Sequence, residues 1–476
     1  MENQSTITSF TLDKAHRYHF VGIGGIGMSA IAQILLARGI QVSGSDARPS
    51  SILDRLKNLG AEIHLGHDAH NLTHNDVLVL SDAIKPENPE WQQAVAWNLP
   101  IIKRADLLGY LTNSGRGVAV SGTHGKTTTS GMLALIFTEA GLDPTCILGG
   151  ELAPLGGNAR PGSDLTLVEA CEAYNSFLDL YPEAAVLTNI DVDHLDFHGT
   201  PEHLFDSFRQ FLRQVKRFAV MNGDDPRLRT MTALPPKAIT YGTGAECDYR
   251  ISDVQLSGEP SFTLQHGNDD LGRLTLRVPG MHNIYNAAGA TALALELGAR
   301  IDDIRNGLAK FPGMHRRFER LGQLNGVAIV DDYAHHPTEI RATLAAARGA
   351  FSGQIVAVFQ PHLFSRTRDL LEDFAHAFSQ ADIILIAPIY PAREAPIPGV
   401  THDLLVQRLQ TLCPEKPVVS LSSLTEGVAM LTHAAHGIAK NEHTCAIPSL
   451  HHGDVIITIG AGDVDTIAQT LTQSQQ

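Results

Sequence analysis

The run Val118-Ala119-Val120-Ser121-Gly122-Thr123-His124-Gly125-Lys126-Thr127-Thr128 contains the residue types that hold nucleotide phosphates. A short β-prone stretch feeds a glycine-containing turn, and the turn opens into a segment around Gly131 to Phe137 whose composition suits a helix ending near Gly141. Glycines let consecutive backbone N–H groups face phosphate oxygens, Lys126 adds positive charge at the outer phosphates, and the Thr127 hydroxyl can hold Mg2+. The common phosphate-loop pattern has a glycine where this chain has Val120, and Gly122 supplies the earlier glycine instead. A turn that needs glycine only for its shape is the alternative; Gly-Lys-Thr-Thr directly after a strand favours phosphate.

Other groups that could reach those phosphates stand at strand ends, where open parallel sheets place their ligands. Leu165 to Val168 ends in Glu169, and Ala184 to Thr188 leads to Asn189, Asp191, Asp193 and His194. Glu169 and His194 are candidate metal ligands beside Thr127, against plainer readings as a solvated acid and a surface histidine. Asp191, Asp193 and Asp196 read as loop and cap acids. Asn283 and Asn286, three apart ahead of an alanine-rich helix over Ala287 to Leu297, either cap that helix or read a purine edge. Arg316 and Arg317 lie in a hinge-like stretch and serve either as surface charge or as reach towards phosphate.

Two further strand ends carry dense polar groups. Val327 to Val330 runs into Asp331-Asp332-Tyr333-Ala334-His335-His336, and Ile355 to Phe359 runs into Gln360-Pro361-His362-Leu363-Phe364-Ser365-Arg366. Such concentrations exceed what a connection needs, and two of them can share one cleft.

Three α/β regions position these groups. In the first, Tyr18 to Val21 enters Gly22-Ile23-Gly24-Gly25-Ile26-Gly27 and a helix closed by Gly39, with Asp46 after the second strand and Ser81 after a buried one. Read alone, this is a dinucleotide fingerprint. A turn-rich join at Asn113 to Gly117 precedes the second region, and a short antiparallel insertion is expected between Cys247 and Val278. The expected domains are 1–112, 113–314 and 315–476: an N-terminal Rossmann-like domain, a central P-loop-type ATPase α/β domain and a C-terminal Rossmann-like α/β domain.

The 476 residues carry 36 Lys+Arg against 51 Asp+Glu, a formal charge of -15, which leaves no basic footprint for nucleic acid or an anionic membrane. Five scattered cysteines without a Cys-x-x-Cys pair suit a reducing compartment. No apolar run is long enough to span a bilayer, and the expected location is the cytoplasm.

In this order, the Gly22 to Ser29 loop, the Gly122 to Thr128 loop, His282-Asn283-x-x-Asn286, Arg316-Arg317-Phe318, Asp331 to Glu339, Gln360 to Thr367 and Glu394 to Gly399 resemble the motifs of the Mur ligase family over essentially the whole chain. The resemblance implies an ATP-dependent amide ligase of cell-wall peptidoglycan synthesis, joining L-alanine to the lactyl carboxylate of UDP-N-acetylmuramate through an acyl phosphate. It implies ATP and Mg2+ as cofactors, and a monomer or weak homodimer. Gly22, Gly24, Gly25, Gly27, Asp46 and Ser81 would then hold UDP-sugar rather than NAD. Gly122, Thr123, His124, Gly125, Lys126, Thr127, Thr128, Asn283, Asn286, Arg317 and Asp332 would bind ATP, with Thr127 and Glu169 at one Mg2+ and His194 at a second. Tyr333, His335, His362 and Arg366 would face the muramoyl carboxylate and alanine, and Lys126, His194, His335 and Arg366 would carry the chemistry.

The chain departs from the family pattern at Cys171, often aspartate, and at Leu363, often arginine. No lysine stands between Lys126 and Lys216, whereas ligases of the later steps use a carbamylated lysine there. The competing readings are a sibling that reattaches recycled murein tripeptide, an NAD-dependent dehydrogenase that would leave the second loop idle, and a non-catalytic nucleotide-binding regulator, in which Lys126 or Glu169 would be lost.

Overall fold

The computed structural model describes residues 12–193, 195–231, 237–392, 394–437 and 447–473. His194 therefore lies outside the described residues. Two compact units form: one holds the chain up to 252 with 263–274 and 285–311, the other 253–262, 275–284 and the chain from 312.

In the first unit, β1 (Arg17–Val21), β2 (Gln41–Asp46), β3 (Glu62–Leu65), β4 (Asp76–Leu80) and β5 (Ile101–Lys103) make a parallel sheet in the order β3-β2-β1-β4-β5. The chain winds outward first to one side of β1 and then to the other. That reversal opens a crevice at the carboxyl end of β1, where the first glycine loop begins.

The second sheet contains β6 (Arg116–Ser121), β7 (Thr145–Leu152), β8 (Gly157–Arg160), β9 (Leu165–Glu169), β10 (Ala184–Leu187), β11 (Phe218–Asn222), β12 (Ala238–Gly242), β13 (Tyr249–Gln255), β14 (Ser261–His266) and β15 (Asp269–Thr275). Its order is β15-β14-β13-β12-β11-β10-β6-β9-β7-β8. β6 thus lies between β9 and β10, parallel to both, so the ends of all three strands surround the phosphate loop. The insertion expected from Cys247 begins with β13, which pairs parallel to β12. Only Gly267-Asn268 joins β14 to β15, a connection short enough to link antiparallel neighbours alone.

Helix Ile26–Ala37 is apolar nearly all round, burying Met28, Ala30, Ile31, Ala32, Ile34 and Leu35. The reason is that it is covered on more than one side: it packs against β7 and β8 as well as its own sheet. One apolar cluster accordingly runs from Tyr18 and Phe20 through Ile31 and Leu35 to Ala119, Val168 and Leu187. Each such Leu or Ile contributes roughly 1.5–3 kcal/mol by leaving water. A buried polar clamp joins the same elements: Asn158 Nδ2 donates to the Ile26 carbonyl (2.6 Å) and Ser29 Oγ (3.0 Å), and its Oδ1 accepts from Gln33 Nε2 (2.9 Å).

In the second unit, β16 (Glu319–Leu324), β17 (Val327–Asp332), β18 (Ile355–Phe359), β19 (Ile383–Ile386), β20 (Val418–Ser420) and β21 (Val455–Ile459) form a sheet ordered β16-β17-β21-β18-β19-β20, antiparallel only at β16. β18, β19 and β21 are buried throughout, as expected of parallel strands covered on both faces. Among the described residues no helix is long and apolar enough to cross a membrane.

Candidate active site

The phosphate loop is shaped from its neighbours. Gly122 turns the chain at φ +125°, where a Cβ would stand 2.2 Å from Thr188 Oγ1 and 2.8 Å from the Asn189 carbonyl oxygen. Asn189 fixes the next two residues: its carbonyl accepts from Thr123 N–H (3.0 Å), its Oδ1 accepts from His124 N–H (2.9 Å), and its Nδ2 donates to the His124 carbonyl (3.0 Å). Thr188 Oγ1 donates to that same carbonyl at 2.6 Å. Gly125, at φ +84°, then caps helix Lys126–Glu139, and a Cβ there would meet Asn286 Oδ1 at 2.4 Å. Asn286 thus borders the loop, and Thr128 lies half-buried in the first turn.

Lys126 is buried against a carboxylate the sequence reading left without a role. Its Nζ donates to both Glu172 oxygens (2.8 and 3.1 Å) and to the Gly122 and Thr123 carbonyls (2.6 and 3.0 Å). Burial works against the ammonium, but Glu172, with Glu169, outweighs it and holds the lysine pKa above its ordinary value. Burial also pushes the Cys171 thiol up to about 11, so the residue replacing the family's frequent aspartate is neutral.

Thr127 and Glu169 do come together. Thr127 Oγ1 donates to Glu169 Oε2 at 2.9 Å, and the Gly149 N–H donates to the same oxygen at 3.1 Å. A hydroxyl and a carboxylate beside a phosphate loop are hard oxygen donors, the set that suits Mg2+. Asp191, read as a loop acid, belongs to this site too: its N–H donates to Thr123 Oγ1 (2.8 Å) and its carboxylate stands 3.5 Å from His124 Nε2.

The first glycine loop is held differently. Gly22 N–H (2.8 Å) and Ile23 N–H (3.0 Å) both donate to the Ser45 carbonyl, Gly24 N–H donates to Asp46 Oδ2 (2.9 Å), and Gly25 N–H donates to the Gly22 carbonyl (3.1 Å). Asp46 therefore closes the loop. Ser45 is anchored in turn by Glu90, whose buried carboxylate accepts from Ser45 Oγ (2.7 Å) and Asn71 Nδ2 (2.7 Å) and meets His67 (3.1 Å) and His19 (3.3 Å). Burial alone would raise the Glu90 pKa; the His19, Asn71 and Ser45 hydrogen bonds outweigh it and bring it to about 2. Ser81 follows β4 on the same carboxyl edge, and Gly27 opens helix Ile26–Ala37.

In the second unit, the ends of β17 and β18 bring His335, His362 and Arg366 together. The His335 and His362 rings are 6.0 Å apart, and Arg366 Nη1 is 3.5 Å from His362 Nδ1. His335 Nδ1 donates to the Tyr333 carbonyl at 3.0 Å. Tyr390, absent from the sequence candidates, stacks on His362 at 5.7 Å. Glu394 accepts from the Ser365 N–H (3.0 Å) and is also held by its hydroxyl. Leu363 occupies φ +72° with its N–H donating to the Tyr390 carbonyl, so the position departing from the family pattern is also a strained one.

Tyr333 lies beneath Arg316 and Arg317, each guanidinium 5.2 Å from the ring. Arg317 stands 3.7 Å from Glu339, whereas Arg316 is committed to Asp331 (2.9 Å) and the Gly460 carbonyl (2.8 Å). Asp332 accepts from Phe318 N–H (3.1 Å), Ala334 N–H (2.8 Å) and Thr343 Oγ1 (3.0 Å); burial raises its pKa to about 6 against the pull of Arg317. Helix Met281–Glu296 begins earlier than the alanine-rich stretch, and Asn283, already inside the helix, donates its amide back to the Pro279 carbonyl (2.7 Å) rather than accepting from the first backbone N–H groups as a cap would.

Three descriptions match the chain in succession: Mur ligase family, catalytic domain over residues 17–116; Mur ligase middle domain over 120–294; and Mur ligase, glutamate ligase domain over 316–462. The chain belongs to the Mur ligase family. It is 44% identical to the UDP-N-acetylmuramate–L-alanine ligase of Geobacter sp. (strain M21), covering 96% of this chain and 97% of that one. It is 43% identical to the enzyme of the same name from Sorangium cellulosum (strain So ce56), covering 96% of each. Among solved structures it resembles a UDP-N-acetylmuramate–alanine ligase from Thermotoga maritima, with a TM-score of 0.81 and 28% identity over 97% of this chain and 99% of that one. A murein peptide ligase from Psychrobacter arcticus shares the fold, with a TM-score of 0.69 and 24% identity over 96% of this chain and 98% of that one. As a Mur ligase the chain has the three-domain α/β fold of the family, and the dinucleotide reading of its first loop falls away.

Proposed function

We propose that this Mur ligase joins L-alanine to the lactyl carboxylate of UDP-N-acetylmuramate, converting ATP to ADP and phosphate, as the first amino-acid addition to a peptidoglycan precursor in the cytoplasm. The observation that carries the reading is near-complete overlap with ligases of that name at 44% identity, in a chain whose Lys126, Thr127 and Glu169 stand ready at the phosphate loop.

Activation of a carboxylate by ATP brings anions together, so the residues supply positive charge and dryness. Lys126 takes the outer phosphates, its charge sustained by Glu172. Thr127 and Glu169 would hold one Mg2+, and His194 is proposed as a ligand of a second. Those ions, when bound, would screen the phosphates from the attacking carboxylate. Asn286 borders Gly125 and is assigned to the nucleotide. His335, His362 and Arg366 are assigned to the substrate carboxylate and the alanine amine, with Tyr390 holding the His362 ring in place.

The test is phosphate release from ATP, Mg2+ and UDP-N-acetylmuramate, with and without L-alanine, with mass detection of the alanyl product. Release should require both substrates. Turnover with murein tripeptide but not with L-alanine would replace this reading by the recycling one.

A further inference from the structure

The β7–β8 hairpin belongs to the phosphate-loop sheet, yet both of its strands are held by the first domain. Ile147 pairs with Ala159 and Leu152 with Gly157, so Leu148, Gly149, Gly150 and Glu151 all stand opposite Asn158 alone. β7 keeps its pairing with β9 only as far as Ile147 opposite Val168. A bulge of this kind bends a strand out of its ladder and re-aims the groups it carries.

The bulged residues make two contacts of different kinds. The Gly149 N–H donates to Glu169 Oε2 at 3.1 Å, the oxygen that also accepts from Thr127. Gly149 is not among the residues with positive φ, but a Cβ on it would collide with the Glu169 carboxylate, so glycine serves close approach here. Glu151, next but one along, pairs with Arg55 of helix Ser51–Asn58, and Arg55 Nη1 donates to the Gly156 carbonyl beyond the strand at 2.8 Å. Gly157 lacks the Cβ that would strike that same nitrogen. The helix carrying Arg55 follows Asp46, which closes the first glycine loop, and its Leu53 Cδ2 lies 3.3 Å from where a Cβ on Gly24 would sit. Arg55 thus grips the strand that bears Gly149, while the Asn158 clamp on Ile26 and Ser29 grips the other. A half-exposed ion pair contributes about 1 kcal/mol or less, so stability alone does not account for an arginine seated between two glycines that are shaped to contacts.

We infer that Arg55 is a positioning residue for the Mg2+ carboxylate. Through Glu151 and Gly149 it ties the helix beside the first loop to Glu169, so that a ligand in the first loop and a metal nucleotide in the second strengthen each other. This rests on the proposed assignment of UDP-sugar to the first loop and of Mg2+ and ATP to the second. Such coupling is reciprocal: each ligand tightens the other by the same factor.

The test is equilibrium binding of the non-hydrolysable ATP analogue AMP-PNP to the full chain, with and without saturating UDP, in Mg2+ and again in EDTA. UDP lacks the muramoyl group, so any coupling has to pass through the protein. In wild type with Mg2+, UDP should tighten AMP-PNP about fivefold, the lower end of ordinary coupling between sites, and in EDTA the factor should fall to one because Glu169 acts through the ion. Arg55→Ala should bring the Mg2+ factor below about twofold, and Arg55→Lys, which keeps the charge but not the fork, should fall between. Arg160→Ala breaks the Arg160–Asp143 pair of the same hairpin (2.7 Å) and should keep the wild-type factor. Independent binding of the two ligands in wild type, an undiminished factor in Arg55→Ala, or coupling that persists in EDTA each overturns the inference while leaving the two sites assigned. Equal loss in Arg55→Ala and Arg160→Ala overturns it as well, since the hairpin would then act by its stability alone. A wild-type protein that binds no UDP overturns the assignment of the first loop, and this inference with it.

Discussion

The loop after β1 and the loop after β6 both run from a buried strand through glycines into a buried helix, yet only the second contains a cation of its own. In the second, Lys126 folds back on the Gly122 and Thr123 carbonyls and on Glu172, so its charge is stored inside the turn. In the first, the amides are tied to Ser45 and Asp46, and the turn from Gly22 to Gly27 carries no lysine or arginine. A self-contained loop can be read as a motif. A loop without its own charge shows only its shape.

The largest effect should fall on the stored charge. Glu172→Gln leaves a buried ammonium without its counter-ion, a change that typically costs about 3–5 kcal/mol. Its pH dependence gives the comparison an edge. The folded-state pKa of Lys126 is raised, so the pair's contribution is complete below the ordinary lysine value and is lost as pH rises through the folded value. Denaturant unfolding should show the gap between wild type and Glu172→Gln constant from neutral pH to about pH 9 and narrowing above roughly pH 10.5. A gap that ignores pH would mean that Glu172 acts by packing alone.

Lys126→Ala removes the charge itself. Loss of one preorganised cation should cost at least ~3 kcal/mol of transition-state stabilisation, seen as a fall of at least about 100-fold in kcat/KM for phosphate release. Near-normal turnover would remove Lys126 from the phosphates. Gly122→Ala probes shape rather than charge: left-handed strain adds to a Cβ pressed against Thr188 and the Asn189 backbone, for roughly 2–4 kcal/mol of stability. Stability equal to wild type would show that β10 yields more than its hydrogen bonds suggest.

For the first loop the corresponding support is Glu90. Its pKa is lowered to about 2, so it stabilises fully above the ordinary glutamate range and loses that contribution as pH falls from about 4.5 towards 2. Glu90→Gln should therefore lower stability at neutral pH and converge on wild type in acid. Because Ser45 holds the loop amides, KM for UDP-N-acetylmuramate should rise about fivefold, the worth of one buried hydrogen bond, with KM for ATP unmoved. Equal rises in both would make Glu90 a general stabiliser of the fold.

Much of this was legible because the signals are contiguous. Lys126 and Thr127 share a turn with their glycines, and Glu169 ends a strand of evident apolar character. Glu172 is three residues beyond Glu169, but nothing local says which acid faces the lysine; the left-handed pair Tyr174 and Asn175 that follows it decides the path of the chain. Asp191 read as a loop acid because its partner Thr123 lies in the loop after a different strand. The shared core of the first two domains was hidden for a related reason. An apolar helix such as Ile26–Ala37 has the same sequence whether one face or two are covered, and Gln33 and Asn158 look like surface residues until they meet.

The smallest effect should be Gly22→Ala. Gly22 has φ +77°, so alanine there carries left-handed strain of roughly 1–2 kcal/mol. A Cβ at that position would have only Ile84 Cδ1, at 3.8 Å, within contact, so no collision adds to the strain. The Gly22 N–H can keep its bond to the Ser45 carbonyl, because the substitution leaves the donor in place. Denaturant unfolding should thus report a modest loss, and UDP binding should stay close to wild type, because the loop amides stay committed to Ser45 and Asp46. A collapse of UDP binding in Gly22→Ala without a matching loss of stability would mean that the loop gives up its Ser45 contacts to take the phosphate, and the contrast between the two loops would vanish.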